Sequence, residues 1–198
     1  MAKIDRALLQ ELRDHTGLGL MDCRKALEET GGDFDQALEM LRKKGASVAA
    51  KRADKETSEG LIKAYIHPGD RLGVLLEINC ETDFVANTDS VRQFAQDLCL
   101  QIAANKPTCI TSDQVCPDLL ARERDIFREQ MMNSGKPEKI IDQIVEAKVK
   151  KLYSEICLLE QPFIKNDQFT VQQVLQDLIA KTGESIRIKR FCRFELGK

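Results

Sequence analysis

The sequence predicts an α+β protein, with a three-helix module at the amino terminus followed by a core. In that core, helices pack a small antiparallel sheet and two further helices form an antiparallel hairpin. Three observations predict this. Apolar residues recur at intervals of three and four through the first 45 positions. The interval drops to two between residues 62 and 80 and again after residue 185. Helical spacing returns between residues 117 and 152.

In the first module, Leu8, Leu9 and Leu12 share a face that ends at Gly17, and Met21 to Thr30 forms a second run stopped by Gly31. Asp33 then caps a third run, carrying Phe34, Ala37, Leu38 and Leu41, that is expected to end at Gly45. So small a module buries little apolar area, and it is expected to keep apolar surface for a partner. Residues 46–59 turn to Ala, Lys, Ser and acidic side chains and read as a helical linker with no core face. The expected division is 1–54 for the partner-binding module with its linker and 55–198 for the α+β core.

In the core, Ile62, Ala64 and Ile66 alternate with Lys63, Tyr65 and His67. Pro68, Gly69 and Asp70 supply a turn, and Leu72, Val74, Leu76, Ile78 and Cys80 alternate again, which predicts a β-hairpin with those residues inward. Ser90 and Gln93 match a capping box for a helix whose Val91, Phe94, Leu98 and Ile102 cover the sheet. The helical hairpin, about 117–155, is predicted from Ile126, Phe127 and Met131 facing Ile141, Ile144, Val145 and Val149, with a break at 133–137. Thr170 and Gln173 cap a further helix carrying Val171, Val174, Leu175, Leu178 and Ile179, which Gly183 closes. Ile186, Ile188, Cys192, Phe194 and Leu196 then alternate with charge and predict a third strand.

Composition narrows the function classes. Thirty basic residues oppose 32 acidic ones, for a net charge of -2, so no global field favours wrapping a polyanion. Local positive charge at Lys150, Lys151, Arg187, Lys189, Arg190 and Arg193 could suggest RNA. With aromatics at 5% and no Trp there is no stacking platform, and a solvated strand face explains that charge more simply. A charged fraction of 31% without a long apolar run predicts no membrane span. The first residues mix acid and base and lack the apolar centre of a secretory signal, so the chain is expected to stay inside the cell. Seven cysteines include no C-x-x-C pair, and His15 and His67 are the two histidines, so neither a metal centre nor a disulfide framework is expected.

No phosphate loop, dinucleotide fingerprint, zinc-protease motif or nucleophile elbow occurs, so covalent catalysis is not expected. The informative stretch is Cys80-Glu81-Thr82-Asp83-Phe84-Val85, between a strong strand and a capped helix. Residue chemistry leaves two readings open. Either Thr82 or Asp83 starts a turn while Phe84 folds back on the core, or Phe84 protrudes as an apolar anchor with Asp83 as its polar neighbour.

Six separated segments carry a resemblance over nearly the whole chain: GLGLMDCRKALEETGGD, INCETDFVANTD, LCLQIAANKP, NSGKP, LLEQPF and RFCRFELG. In that order they resemble the elongation factor Ts family. The resemblance implies a translation elongation factor that is a guanine-nucleotide exchange factor, not an enzyme of covalent chemistry. It would act in the cytoplasm, with no cofactor of its own, on the GDP-bound form of elongation factor Tu. The amino-terminal module is then ubiquitin-associated-like.

The family's T-D-F-V motif falls on Thr82, Asp83, Phe84 and Val85, and the resemblance implies that Asp83 and Phe84 intrude beside the partner's magnesium site. Leu20 and Met21 match the apolar pair of a second contact, with Leu where Met is common. A core role for one of them is the plainer alternative. Gln101 stands where longer members tend to carry a His that acts on the partner's phosphate-side backbone; the plainer reading there is an exposed polar residue on the helix. Longer members carry a duplicated core and this chain has one copy, which implies a homodimer built on the 55–198 domain. Cys192 could then pair across a two-fold axis or stay a buried thiol. The rival function is a protein-interaction module for a ubiquitin-like partner or a nascent chain.

Overall fold

A computed structural model describes residues 4–132 and 137–197. Helix α1 (Arg6–Thr16) begins where the Asp5 carboxylate accepts the Ala7 amide at 2.9 Å. It is followed by α2 (Leu20–Glu29) and by α3 (Phe34–Arg52), whose first turn is tied by Asp33 accepting the Gln36 amide at 2.9 Å. The three close on Leu12, Cys23, Ala26, Leu27, Ala37 and Leu41, with Leu8, Leu9, Phe34 and Leu38 packed around them.

Contrary to expectation, α3 does not stop at Gly45 but runs seven residues further, and Ala46, Val48 and Ala49 are half-buried on it. Gly45 is there for closeness. A Cβ added to it would lie 3.2 Å from the Ala180 Cβ of a later helix, so its missing side chain lets two helix backbones approach.

Strands β1 (Glu59–Ile66) and β2 (Leu72–Cys80) form the predicted hairpin, and β5 (Ile186–Glu195) adds to β2, for the order β1-β2-β5. The face of β1 is opposite to the predicted one. Leu61, Lys63 and Tyr65 are half-buried, whereas Ile62 and Ile66 are 67% and 59% exposed. Gly60 opens the strand at close quarters with its neighbour. A Cβ there would sit 2.1 Å from the Ile78 carbonyl oxygen, so glycine lets the start of β1 lie this close to β2.

The last strand departs similarly. Ile186 and Ile188 are buried, but Lys189 and Arg190 are both exposed and break the alternation. As a result Phe194 and Leu196 are exposed, and Cys192 is half-buried. Arg193 is drawn in, donating to the Ala103 carbonyl at 3.3 Å and to Glu195 at 2.8 Å.

Between β2 and β5 come α4 (Asp83–Ala86), α5 (Asp89–Asn105), α6 (Pro117–Met132), α7 (Glu138–Ile156), a short antiparallel pair β3 (Pro162–Phe163) and β4 (Asn166–Thr170), and α8 (Val171–Thr182). Helix α5 starts earlier than the capping box suggested: Thr88, not Ser90, offers the hydroxyl that accepts the Val91 amide, at 3.5 Å. Helices α6 and α7 zip through Leu120, Phe127 and Met131 against Ile141, Val145 and Val149, while Ile126 faces out. Of the predicted break between them, 133–136 lies outside the described residues. Pro137 opens α7, its carbonyl accepting the amides of Ile140 and Ile141.

By backbone proximity the chain forms two units. One runs to Lys63 and includes Leu76–Ala95 and Gln173–Lys189; the other takes Ala64–Leu75, Gln96–Gln172 and the chain from Arg190. Among the described residues no helix is long and apolar enough to cross a membrane.

Candidate functional site

The site is built where β2 ends. Cys80 is the last buried residue of the strand, and burial pushes its thiol up to about 11. The next residue turns to polar partners. Glu81 accepts the Ser185 backbone amide at 2.6 Å and the Arg52 guanidinium at 2.9 and 3.1 Å. The Ser185 hydrogen bond, more than the Arg52 charge, holds this carboxyl below its usual range.

Thr82 then caps α4. Its backbone is extended, with φ -128° and ψ 154°, and its hydroxyl accepts the Val85 amide at 3.3 Å. The same hydroxyl donates to Glu184 at 2.9 Å, and the Thr82 amide donates to the other Glu184 oxygen at 3.1 Å. The far end of the turn is tied as firmly. Both the amide and the side-chain amide of Asn87 donate to the Asp83 carbonyl, at 3.0 and 2.9 Å, and the Thr88 hydroxyl donates to the Val85 carbonyl at 2.8 Å.

A single helical turn clamped at both ends sorts its side chains by angle. At about 100° per residue, positions 85 and 86 share one side and 83 and 84 the other. Val85 and Ala86 are accordingly buried, at 7% and 2% exposure, and Asp83 and Phe84 point to solvent. Phe84 keeps 79% of its surface exposed. Of the two readings the residues allowed, the structure selects the protruding ring. Burying such a ring is worth roughly 1.5–3 kcal/mol, a gain the fold leaves largely unused.

In α2, Leu20 and Met21 occupy the first turn after Gly19 and are 48% and 73% exposed, while Cys23, Ala26 and Leu27 fill the module's interior. Neither of the pair serves the core. Asp22 beside them is held by Lys44 at 2.5 Å, which fixes the start of α2 against α3.

Gln101 lies elsewhere, in the other unit, and both readings of it need correction. It is fully buried in α5 and neither faces solvent nor is free to touch a partner. Its Nε2 donates to Gln161 Oε1 and to the Pro162 carbonyl, both at 3.0 Å, and its Oε1 accepts the Ile164 amide at 2.7 Å. The buried Gln161 passes the network on, donating to the Glu155 carbonyl at 2.8 Å. Gln101 therefore pins the 161–164 segment, which contains β3 and leads into β4.

The motif's supports were not predicted. Arg52, Glu184 and Ser185 lie 29, 102 and 104 positions from their partners in the chain, and no local pattern could pair them.

The chain is similar to known proteins over its length. The family model described as Elongation factor TS matches residues 21–198. Over all 198 residues the chain is 50% identical to the Elongation factor Ts of Desulforamulus reducens, covering 91% of that protein. It is 52% identical to that of Solidesulfovibrio magneticus, covering 99%, and 49% identical to that of Desulfosudis oleivorans, covering 100%. With the clamped turn and its outward ring lying inside a match that spans whole relatives, the chain belongs to the elongation factor Ts family, and its role is that of a translation elongation factor.

Proposed function

We propose that the chain is a guanine-nucleotide exchange factor that binds elongation factor Tu in its GDP-bound form and speeds GDP release without covalent chemistry. The observation that carries this is Phe84, an aromatic ring held in solvent by a turn bonded at both ends. Asp83 and Phe84 enter the partner beside its Mg²⁺ and phosphate site, Thr82 and Val85 hold the turn, and Leu20 and Met21 provide the second contact. Disturbing the groups that support the metal and phosphates weakens nucleotide binding, and each 1.4 kcal/mol taken from the release barrier is about tenfold in rate. Linkage makes the effect mutual: the factor by which the protein weakens nucleotide binding is the factor by which nucleotide weakens the protein's hold, so incoming GTP ejects it.

The reading extends to a homodimer working in the cytoplasm. Ile66, Leu75, Phe194 and Leu196 are 59%, 45%, 70% and 62% exposed in one unit, which supports a self-association surface there. A fluorescent-GDP release assay on loaded elongation factor Tu tests exchange. Acceleration by the intact chain that is mostly lost in an Asp83→Ala, Phe84→Ala double variant is expected; unchanged release with the intact chain rejects the proposal.

A further inference from the structure

Two of the seven cysteines meet outside the exchange site. Cys109, just past α5, and Cys157, at the end of α7, are partners in an isolated parallel β-bridge, flanked by the Cys109 amide on the Ile156 carbonyl and the Leu158 amide on the Cys109 carbonyl. Their sulfurs lie 3.5 Å apart. Paired strands run about 4.8 Å apart, inside the Cα separation a disulfide accepts, and an S–S bond of about 2.05 Å needs the sulfurs to close by about 1.5 Å. Elsewhere, Cys23 has a threonine hydroxyl beside it, and Cys116 is exposed.

We infer that Cys109 and Cys157 form a peroxide-reactive dithiol, oxidised reversibly to a disulfide that ties the root of the α6–α7 hairpin to the segment after α5. The exposures assign the order of events. Cys109 is half-buried and open to a small oxidant, whereas Cys157 is fully buried, and burial together with the neighbouring thiol raises its pKa. The Cys109 thiolate attacks one peroxide oxygen and hydroxide leaves, giving a sulfenic acid at Cys109. The Cys157 sulfur then displaces that hydroxyl group, which departs as water with the Cys157 proton. Two thiols and one hydrogen peroxide give one disulfide and two waters, the sulfurs losing two electrons and the peroxide gaining them. The cysteines are 48 positions apart, so the bond closes a loop that contains both hairpin helices and restricts the unfolded chain accordingly.

The test needs no variant to begin. The full-length protein is treated with a small excess of hydrogen peroxide, remaining thiols are blocked with N-ethylmaleimide, and peptides are mapped by mass without reductant. A Cys109–Cys157 cross-linked pair, lighter than its reduced peptides by two hydrogens and released by dithiothreitol, is expected. Recovery of both residues as maleimide adducts, or of Cys109 as a sulfinic acid with Cys157 still free, overturns the inference. The oxidised wild-type chain should also melt several degrees higher than the reduced one, and Cys109→Ser should lose this peroxide-dependent shift. A shift that persists in Cys109→Ser overturns it too. None of these readouts involves nucleotide exchange, so the inference stands or falls apart from that proposal.

Discussion

Phe84 and Gln101 stand on consecutive helices of the chain with their environments reversed: the apolar ring is 79% exposed on α4, and the polar amide is fully buried in α5. Each is held by hydrogen bonds, but to different ends. Around Phe84 the bonds belong to the backbone and neighbours of the turn, leaving the ring itself without a task in the fold. Around Gln101 the bonds are its own, and three other groups depend on them. The difference teaches that an exposed apolar residue on a rigid support is spare for binding, whereas a buried polar residue with every bond made is committed to structure.

Substitutions can break that contrast. Phe84→Ala should lower the rate of stimulated GDP release by roughly 30- to 1000-fold, the 2–4 kcal/mol of an interface hot spot, with the melting temperature within about a degree of wild type. A large fall in melting temperature would show the ring to be structural after all. Gln101→Leu should do the reverse. It orphans the Ile164 amide, the Pro162 carbonyl and Gln161 Oε1, at about 1–3 kcal/mol for a buried unsatisfied group, so a loss near 3 kcal/mol and about 6–12 °C in thermal melting is expected. Release per folded molecule should be kept; a selective loss of exchange at full stability would return Gln101 to the contact surface.

Smaller effects sharpen the same comparison at the turn's supports. Glu184→Gln keeps the shape but loses one of the two acceptors that Thr82 uses, which should cost about 1 kcal/mol and slow exchange several-fold, seen in denaturant titration alongside the release assay. The pH dependence of Glu81 follows from its depressed carboxyl. Its contribution is fully present above the unfolded value of about 4.3 and is lost as pH falls through the lower folded value, so amide exchange at Ser185 should quicken only in that acid window. Gly45→Ala should be nearly neutral in chemical denaturation, because about 1 kcal/mol of helix propensity opposes crowding against Ala180 at 3.2 Å.

Much of the fold was legible locally. Gly17 and Gly31 mark helix ends, Asp33 a helix start, and the alternation from Leu72 to Cys80 a strand with Val74, Leu76, Ile78 and Cys80 buried. The motif at 82–85 was also legible, though residue chemistry left the direction of Phe84 undecided. Where reading failed, a distant partner intervened. Gly45 reads as a stop until Ala180 is seen opposite it, Ile62 and Ile66 read as inward until the folded strand leaves them exposed, and Gln101 reads as a surface residue until Gln161 meets it.

By itself, then, the sequence determined the order and kind of the main elements and the position of the turn at 82–85, because caps, glycine stops and hydrophobic periods act over a few neighbouring residues. Which face of β1 is covered, how far α3 runs, that Phe84 points outward, and that Cys109 meets Cys157 were decided only by tertiary structure. Those outcomes depend on contacts between residues tens to more than a hundred positions apart, and their free energies exist only once the chain has brought the partners together.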